Sequence, residues 1–266
     1  MAYISPLLTA VVGAVKKSAS SMDRDFSELE QLQNSVRGNK NFVFGTYSRI
    51  EKNLKAELAK IRPDMPMFTP NDKVVGDSYF AISPIEGLIN FAHGNPDFAV
   101  SVALVENGAL ICAVVYNPAR DETFFAEKGK GAYKEGYRNH ERLRVSAVKE
   151  LDGALISATS SYAENIAEAS KLHAQIAAKT GNLRISGCIA QDLAYMAGGK
   201  ADAVIGLNNH ICSIAAGMLL VKEAGGSVRA VKQKDIRVES LPEIFKTGNL
   251  VAVNFNLNQK VFEIFK

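Results

Sequence analysis

The stretch from Ser83 to Gly94 has the residue types and the spacing of a ligand-binding turn. It follows an apolar run at residues 79–82 and precedes an alternating apolar segment at residues 98–105. Pro84 and Gly87 within it are typical of a strand that ends and turns into a helix. Backbone N–H groups at the start of a helix favour anions. The stretch therefore predicts a ligand site at the junction of a strand and a helix.

Three nearby side chains could carry chemistry, and the sequence leaves two roles open for each. Glu86 is either a metal ligand or base, or a hydrogen-bonded carboxylate without chemistry. Asp77 is either a ligand supplied by its loop or a turn or cap residue. Ser213 follows a polar triplet at residues 208–210. We expect it to cap the start of a helix, with contact to a ligand as the alternative.

The histidines and cysteines form no recognisable catalytic or metal pattern. His93 and His210 lie at predicted loop or helix edges, and each is either an acid–base group or a structural side chain. The three cysteines are widely spaced, which predicts neither a zinc site nor a disulfide framework and favours a reducing cytoplasm. Cys188 and Cys212 lie near the predicted site. They are either small buried residues or reactive thiols.

Composition excludes several classes of protein. The chain has 266 residues, 47% hydrophobic and 22% charged, as in an ordinary globular protein. The net charge of +3 is too small to imply nucleic-acid binding by itself. No apolar run reaches the roughly 18 residues of a membrane span. The densest basic region is interpreted as a solvated hairpin face, with contact to RNA or an acidic protein as the alternative; it contains Lys128, Lys130, Lys134, Arg138, Arg142 and Arg144.

The first half of the sequence predicts two helices on an antiparallel sheet. An apolar stripe from Leu7 to Val15 begins a helix that continues through Leu32 and ends at turn residues 38–41. Phe42–Phe44 is a candidate extended piece. A second helix, with Ile50, Leu54, Leu58 and Ile61 on one face, ends before Pro63, and a loop spans Met65–Asp77. Strands are predicted at residues 79–82, 98–106, 110–116, 123–125 and 132–133, with a hairpin at Asn107–Gly108.

The second half alternates strands with helices, which is typical of an α/β arrangement. Strands are predicted at residues 154–158, 184–186, 203–205, 227–230 and 250–254. Helices are predicted at residues 163–180, 190–197, 213–224 and 259–265. We therefore predict an N-terminal α+β domain at residues 1–148 and a C-terminal α/β domain at residues 149–266, packed as one globular unit.

Five ordered segments carry a resemblance to a known family. They are Ser83–Phe91, Phe91–Leu104, Gly129–Tyr133 with Arg144–Ser146, Ser186–Tyr195, and Ala215–Gly217 with Glu223–Gly226. Together they resemble the inositol monophosphatase family, the SuhB-like magnesium-dependent sugar phosphatases. The resemblance implies a layered α-β-α-β-α sandwich, often found as a homodimer.

The resemblance also implies metal-assisted hydrolysis, in which acidic residues hold Mg²⁺ ions that activate water and clamp a phosphate. Most of the family's chemical positions carry other residues here. Ser83 and Glu86 stand where the family has its first two aspartates, and Ser213 stands where it has a third. Ile85, whose carbonyl can ligate, is retained. The family's acidic pair falls at Pro70 and Asn71, or near Asp77–Ser78. Leu88 stands where the family has its water-activating threonine, and Tyr47 stands where it has an early aspartate.

The chain is therefore predicted to be a divergent family member that needs no cofactor and acts by binding. We expect its ligand pocket to comprise Ser83, Glu86, Gly87, Leu88, Ile89, Gly187, Cys188 and Ser213. The N–H groups of residues 87–89 would bind a phosphate, unless Leu88 and its apolar neighbours fill the old pocket. The resemblance implies a transcription or RNA-processing partner, or a phosphorylated small molecule. The alternative is a magnesium-dependent phosphatase for inositol 1-phosphate or a related phosphomonoester, with a rebuilt site.

Overall fold

A computed structural model describes residues 4–32, 36–160, 166–231 and 241–265 of the chain. In its first half the helices are α1 (Pro6–Ser18), α2 (Met22–Leu32), α3 (Val36–Ile61) and α4 (Leu88–Ala92). The strands are β1 (Met67–Phe68), β2 (Tyr79–Glu86), β3 (Ala99–Glu106), β4 (Ala109–Asn117), β5 (Glu122–Glu127), β6 (Gly131–Lys134) and β7 (Glu141–Arg142). A single 3₁₀ turn, Pro118–Arg120, links β4 to β5.

The second half supplies β8 (Leu155–Ser160), α5 (Ile166–Thr180), β9 (Asn182–Arg184), α6 (Ile189–Ala197) and β10 (Ala203–Leu207). It continues with α7 (Ile211–Glu223), β11 (Ser227–Ala230), α8 (Leu241–Thr247) and β12 (Leu250–Val253), and the last described element is a 3₁₀ helix, Val261–Phe265.

The strands form two sheets. Within the described ranges, β1 to β7 follow one another in chain order in the first sheet, where all pairs are antiparallel except β1 with β2. The predicted hairpin between β3 and β4 is confirmed, and Asn107 and Gly108 both have positive φ, at 51° and 70°. The second sheet has the order β11-β12-β10-β8-β9, with parallel pairing of β8 to both β9 and β10.

The helices and sheets stack in five layers, which confirms the predicted α-β-α-β-α sandwich. Helices α1 and α3 pack on one face of the first sheet, and α6 and α7 pack on its other face. The same α6 and α7 cover the second sheet, whose far side carries α5 and the final 3₁₀ helix. Because α7 lies between two sheets, its residues from Ile211 to Val221 are all buried.

Several predicted elements are corrected. The long first helix is two helices, α1 and α2, separated at residues 19–21, so three helices rather than two precede the sheet. Residues 38–41 and Phe42–Phe44 lie inside α3, because packing of Val43 and Ile50 against the core outweighs the weak helix propensity of Gly and Asn. Strand β9 ends at Arg184, and the final helix is of the 3₁₀ type.

Other elements went unpredicted or are only partly covered. The short strands β1 and β7 and helix α8 were not predicted from the sequence. The predicted start of the helix at residues 163–165 lies outside the described residues. The boundary at residue 148 stays a prediction. No helix in the part of the chain that the structure describes is long and apolar enough to cross a membrane.

Candidate functional site at the turn between β2 and α4

The predicted turn between a strand and a helix is present, and its backbone leaves no room for a side chain at Gly87. Strand β2 shifts register between Ser83 and Glu86, where Pro84 lacks an N–H to pair. Gly87 then has φ of +80°, and a Cβ atom there would lie 2.7 Å from the carbonyl oxygen of Asp97. Helix α4 follows as one turn of five residues. Glycine is therefore required at this position for both its conformation and its size.

Asn90 anchors this turn to the other half of the chain. Its Nδ2 donates hydrogen bonds to the carbonyl oxygens of Asp97 and Ser186, each at 2.7 Å. Gly187, which has φ of +79°, passes so close that a Cβ atom would lie 3.3 Å from Asn90 Nδ2. Asn90 thus holds the end of the first sheet against the entry to α6.

Ser83, Glu86 and Ser213 come together beneath the turn. The hydroxyl of Ser83 donates to Glu86 Oε2 at 3.3 Å, and the hydroxyl of Ser213 and the N–H of Ile189 donate to the same carboxyl group. Glu86 as a residue is partly exposed, but its carboxyl group is desolvated, and this burial raises its pKa. We name these three side chains the Glu86 cluster; it joins β2 to the first turn of α7.

The predicted helix cap at Ser213 is wrong. Helix α7 begins at Ile211, and its cap is His210, whose Nδ1 accepts a hydrogen bond from the N–H of Cys212 at 3.2 Å. The backbone places Ser213 one turn further in, where its hydroxyl reaches Glu86. The polar triplet before the helix was the correct signal, but it located the cap imprecisely.

The two cysteines near the turn are buried and hydrogen-bonded. The thiol of Cys188 lies 3.5 Å from the carbonyl oxygen of Glu86, and the thiol of Cys212 lies 3.1 Å from that of Phe68. Burial raises the pKa of Cys188 well above its usual value and raises that of Cys212 to about 12. Both groups therefore stay as thiols at neutral pH, which argues against reactive thiolates.

Asp77 is separated from the Glu86 cluster by the length of β2. It lies in the loop before Tyr79, where its carbonyl accepts from the N–H of Gly108 at 2.7 Å and its carboxylate accepts from Ser78 at 2.9 Å. Strand β2 spans eight residues, so Asp77 and Glu86 lie at opposite ends. The turn role predicted for Asp77 is the one the structure supports.

Pro70 and Asn71 lie in a turn that another carboxylate closes. Asp72 accepts hydrogen bonds from the N–H and the hydroxyl of Thr69, at 2.8 and 2.9 Å, and these bonds lower the pKa of Asp72. Asp72 was not among the predicted site residues, although an acidic residue three positions after Thr69 is a recognisable turn signal. Its carboxylate is occupied by the turn itself.

A cleft of about 830 Å³ opens beside α4 and α3, and we name it the α3–α4 cleft. It is lined by Asn39, Lys40, Val43, Phe44, Tyr47, Ser48, Glu51, Asn71, Leu88, Ile89, Ala92 and His93. Leu88 and Ile89 are 41% and 77% exposed, so they line the cleft and do not fill it. Apart from Tyr47, the α3 residues were not predicted as part of a site, because a turn and an extended piece were expected where α3 begins.

A second concave region adjoins the turn through Asp97 and Ser186, whose carbonyl groups accept from Asn90, and we name it the polar crevice. Its volume is about 280 Å³, and its lining includes Asp97, Ser157, Arg184, Ser186, Gln191, Asp192, Tyr195 and Lys200. Asp192 is buried and accepts from the hydroxyls of Ser186 at 2.7 Å and Thr159 at 3.2 Å. Burial raises the pKa of Asp192 to about 6.

The basic region of the hairpin is partly neutralised. Lys130 pairs with Glu127 and Lys134 pairs with Glu122, each at 2.6 Å. Such ion pairs are typical of a solvated surface.

The five layers, with a concave site where β2 turns into α4, define a class of layered α+β sandwich proteins. A model of the "Inositol monophosphatase family" matches residues 4–264. The chain is 35% identical to an "Inositol-1-monophosphatase" of Mesorhizobium japonicum, covering 98% of this chain and 97% of the relative. It is 32% identical to a "Nus factor SuhB" of Pseudomonas aeruginosa, covering 94% and 92%.

A solved structure gives the same result. The extragenic suppressor protein suhB of Bartonella henselae superposes with a TM-score of 0.81 at 31% identity, covering 98% of this chain and 99% of that one. The chain therefore belongs to the inositol monophosphatase family, as its motifs predicted.

Proposed function

We propose that this chain is a non-hydrolytic member of the family that acts by binding. The observation that carries the proposal is the Glu86 cluster. Its single carboxyl group receives hydrogen bonds from Ser83, Ser213 and the N–H of Ile189, and burial raises its pKa. One carboxyl group beside two neutral hydroxyls supplies too little negative charge to hold a divalent cation.

The side chains present do not fit a magnesium site. Mg²⁺ requires oxygen ligands that supply negative charge. Ser83 and Ser213 contribute neutral hydroxyls, and both hydroxyls are engaged as donors to Glu86. Across the described ranges, no group of three or more His, Cys, Asp or Glu side chains is arranged to hold a metal ion.

The position that would activate water is apolar. The resemblance places Leu88 where the family has a threonine, and Leu88 faces the α3–α4 cleft. A leucine side chain has no atom that can orient or deprotonate water. Each increase of about 1.4 kcal/mol in the activation free energy of hydrolysis slows the reaction tenfold. Loss of both the metal ions and the threonine hydroxyl would raise this activation free energy by many such increments.

Binding could serve either a macromolecular partner or a phosphorylated small molecule. The relative named a Nus factor supports a transcription or RNA-processing partner. A homodimer and a cytoplasmic location also belong to this proposal, because the resemblance and the reduced cysteines favour them.

Calorimetric titration with Mg²⁺ or Mn²⁺, with and without inositol monophosphate, tests the proposal. We expect no saturable heat at millimolar metal in either case. Tight metal binding that inositol monophosphate strengthens would overturn the proposal, because it would require a metal site.

Restoring the family residues tests whether only the ligands are missing. The variant combines S83D, E86D, L88T and S213D with P70E and N71E. We expect it to gain magnesium-dependent turnover of inositol 1-phosphate. The matched control keeps Leu88 and restores only the acidic residues, and it should bind metal while hydrolysing much more slowly.

The alternative function is a magnesium-dependent phosphatase with a rebuilt site. The 35% identity to a protein named inositol-1-monophosphatase favours it. In that case Mg²⁺ is the cofactor, and the unaltered chain would release phosphate from inositol 1-phosphate. A sensitive phosphate-release assay, with an L88T variant for comparison, separates the two functions.

A further inference from the structure

We propose that the α3–α4 cleft binds a small, uncharged molecule with an aromatic or alicyclic body. The inference rests on the proposed function, because a site organised around metal ions and phosphate would exclude such a ligand. It adds to that binding role a further ligand class, an uncharged molecule, at one place on the chain.

The size and the lining of the cleft are those of a small-molecule site. Its volume of about 830 Å³ lies within the roughly 300–1,000 Å³ of typical ligand pockets. Phe44 on α3 is 71% exposed, and Leu88 and Ile89 on α4 are 41% and 77% exposed. Val43 and Ala92 add to the apolar lining. Apolar side chains gathered around one concavity, and not scattered singly, indicate a surface that a ligand covers.

The charges around the cleft favour a neutral ligand. Glu51 is compensated by Lys55, whose Nζ lies 2.6 Å from its carboxylate. Tyr47 is a neutral phenol at pH 7, and burial raises its pKa further, to about 12. The basic side chains that line the cleft are Lys40, which is exposed, and His93, and they lack the arginine forks that hold a phosphate through paired hydrogen bonds.

A few polar groups can orient such a ligand. Ser48 supplies a hydroxyl, and Asn71 supplies an amide that can both donate and accept hydrogen bonds. Apolar pockets commonly gain specificity from a small number of such groups. The ligand is therefore expected to carry one or two hydroxyl or carbonyl groups on an apolar body.

The apolar wall on α4 is held in place before any ligand arrives. Asn90, one residue beyond Ile89, is fixed by two hydrogen bonds of 2.7 Å. Phe91 is fully buried in the core below. Leu88 and Ile89 thus project from an anchored turn, which reduces the ordering cost of binding.

The full-length chain should bind N-phenyl-1-naphthylamine, a neutral probe that fluoresces in apolar surroundings. We expect one saturable site whose occupancy inorganic phosphate leaves unchanged. F44S and I89S should each weaken binding about tenfold, which corresponds to removing one large apolar contact.

Two substitutions outside the cleft serve as matched controls. F255S and I166S alter residues that are 80% and 63% exposed, so they change surface hydrophobicity to a similar degree. We expect each to change probe affinity by less than about twofold. Equal losses in the cleft and control variants would overturn the proposal, because they would indicate nonspecific surface binding.

Three other results would also overturn it. They are the absence of saturable probe binding, displacement of the probe by phosphate, and saturation at several equivalent sites. The failure of this inference is distinguishable from that of the proposed function. Absence of probe binding together with absence of metal binding removes only the inference, whereas phosphate-enhanced metal binding removes the proposed function on which it rests.

Discussion

The two sides of the turn between β2 and α4 differ in how they are held. On the side of the polar crevice, Asn90 bonds to two carbonyl groups and Asp192 accepts hydroxyl hydrogen bonds. On the side of the α3–α4 cleft, Leu88 and Ile89 present exposed apolar side chains. One side is fixed by polar contacts that form on folding, and the other is left uncovered.

This difference separates what the fold needs from what a ligand could use. Gly87 and Asn90 join the first sheet to the entry of α6, so changing them disturbs folding. Ile89 is mostly exposed, so the folded chain depends on it very little. The backbone motif of the family can therefore persist while the groups that face the cleft change.

The largest expected effect is at Gly87. G87A places a Cβ atom 2.7 Å from the carbonyl oxygen of Asp97 in a residue with φ of +80°. We expect the free energy of unfolding, measured with urea, to fall by about 3 kcal/mol or more. G76A is the control, because Gly76 has φ of +86° with no atom within 4 Å. It should cost only about 1 kcal/mol. Equal losses would show that close packing at Gly87 is unimportant.

Asp192, in the polar crevice, should make the free energy of unfolding depend on pH. Burial raises its pKa from the ordinary value of 3.8 to about 6 in the folded chain. The folded state therefore holds the proton more tightly, and this contribution to stability is lost as pH rises from about 4 to about 6. Relative to the wild type, D192N should gain up to about 3 kcal/mol between pH 4 and pH 7.

Glu122 is the matched control for Asp192, because its contribution to stability changes with pH in the opposite direction. Burial would raise the pKa of Glu122, but hydrogen bonds from Lys134 and Tyr195 prevail and lower it to about 2. Glu122 therefore stabilises the fold above about pH 4.5, and this contribution disappears as pH falls towards 2. Urea unfolding from pH 2 to pH 7 should give difference curves of opposite slope, for D192N between about pH 4 and pH 6 and for E122Q between about pH 2 and pH 4.5. A flat curve for D192N would contradict the assignment.

A smaller loss is expected at Asn90. N90A leaves the carbonyl oxygens of Asp97 and Ser186 without their donor. We expect the free energy of unfolding to fall by about 2 kcal/mol. N95A removes one exposed hydrogen bond in the same loop, from the N–H of Asp97 at 3.1 Å, and should cost about 0.5 kcal/mol. Similar losses from both variants would mean that Asn90 does not join the two halves.

The smallest effect is expected on the side of the cleft. I89S should change the free energy of unfolding by less than about 0.5 kcal/mol, because the side chain is largely in solvent. Urea unfolding measures this directly. A loss of 2 kcal/mol or more, of the size expected for a buried isoleucine, would show that Ile89 is packed in solution and that the cleft is closed.

Much of the fold followed from local patterns. Alternating apolar residues and the Asn107–Gly108 turn located β3 and β4, and helical spacing located the end of α3. The start of α3 could not be predicted in the same way. Gly38, Asn39 and Asn41 are turn formers, and packing of the neighbouring Val43 in the core favours the helix that contains them.

The candidate site followed from the sequence to a smaller extent. The resemblance located Ser83, Glu86 and Leu88, and all three lie at the predicted turn. The α3–α4 cleft could not be foreseen, because Phe44 and Ile89 meet across two helices that no local pattern relates.

The sequence by itself determined most of the order of strands and helices, the family of the chain, and a strand-to-helix turn at Gly87. Periodicity and turn chemistry act between near neighbours, so they are legible in the chain. The tertiary structure alone decided that Ser213 would donate to Glu86 and that a cleft would open beside α4. Burial of α7 between two sheets brings these distant residues together, and such burial depends on the whole core and not on any one segment.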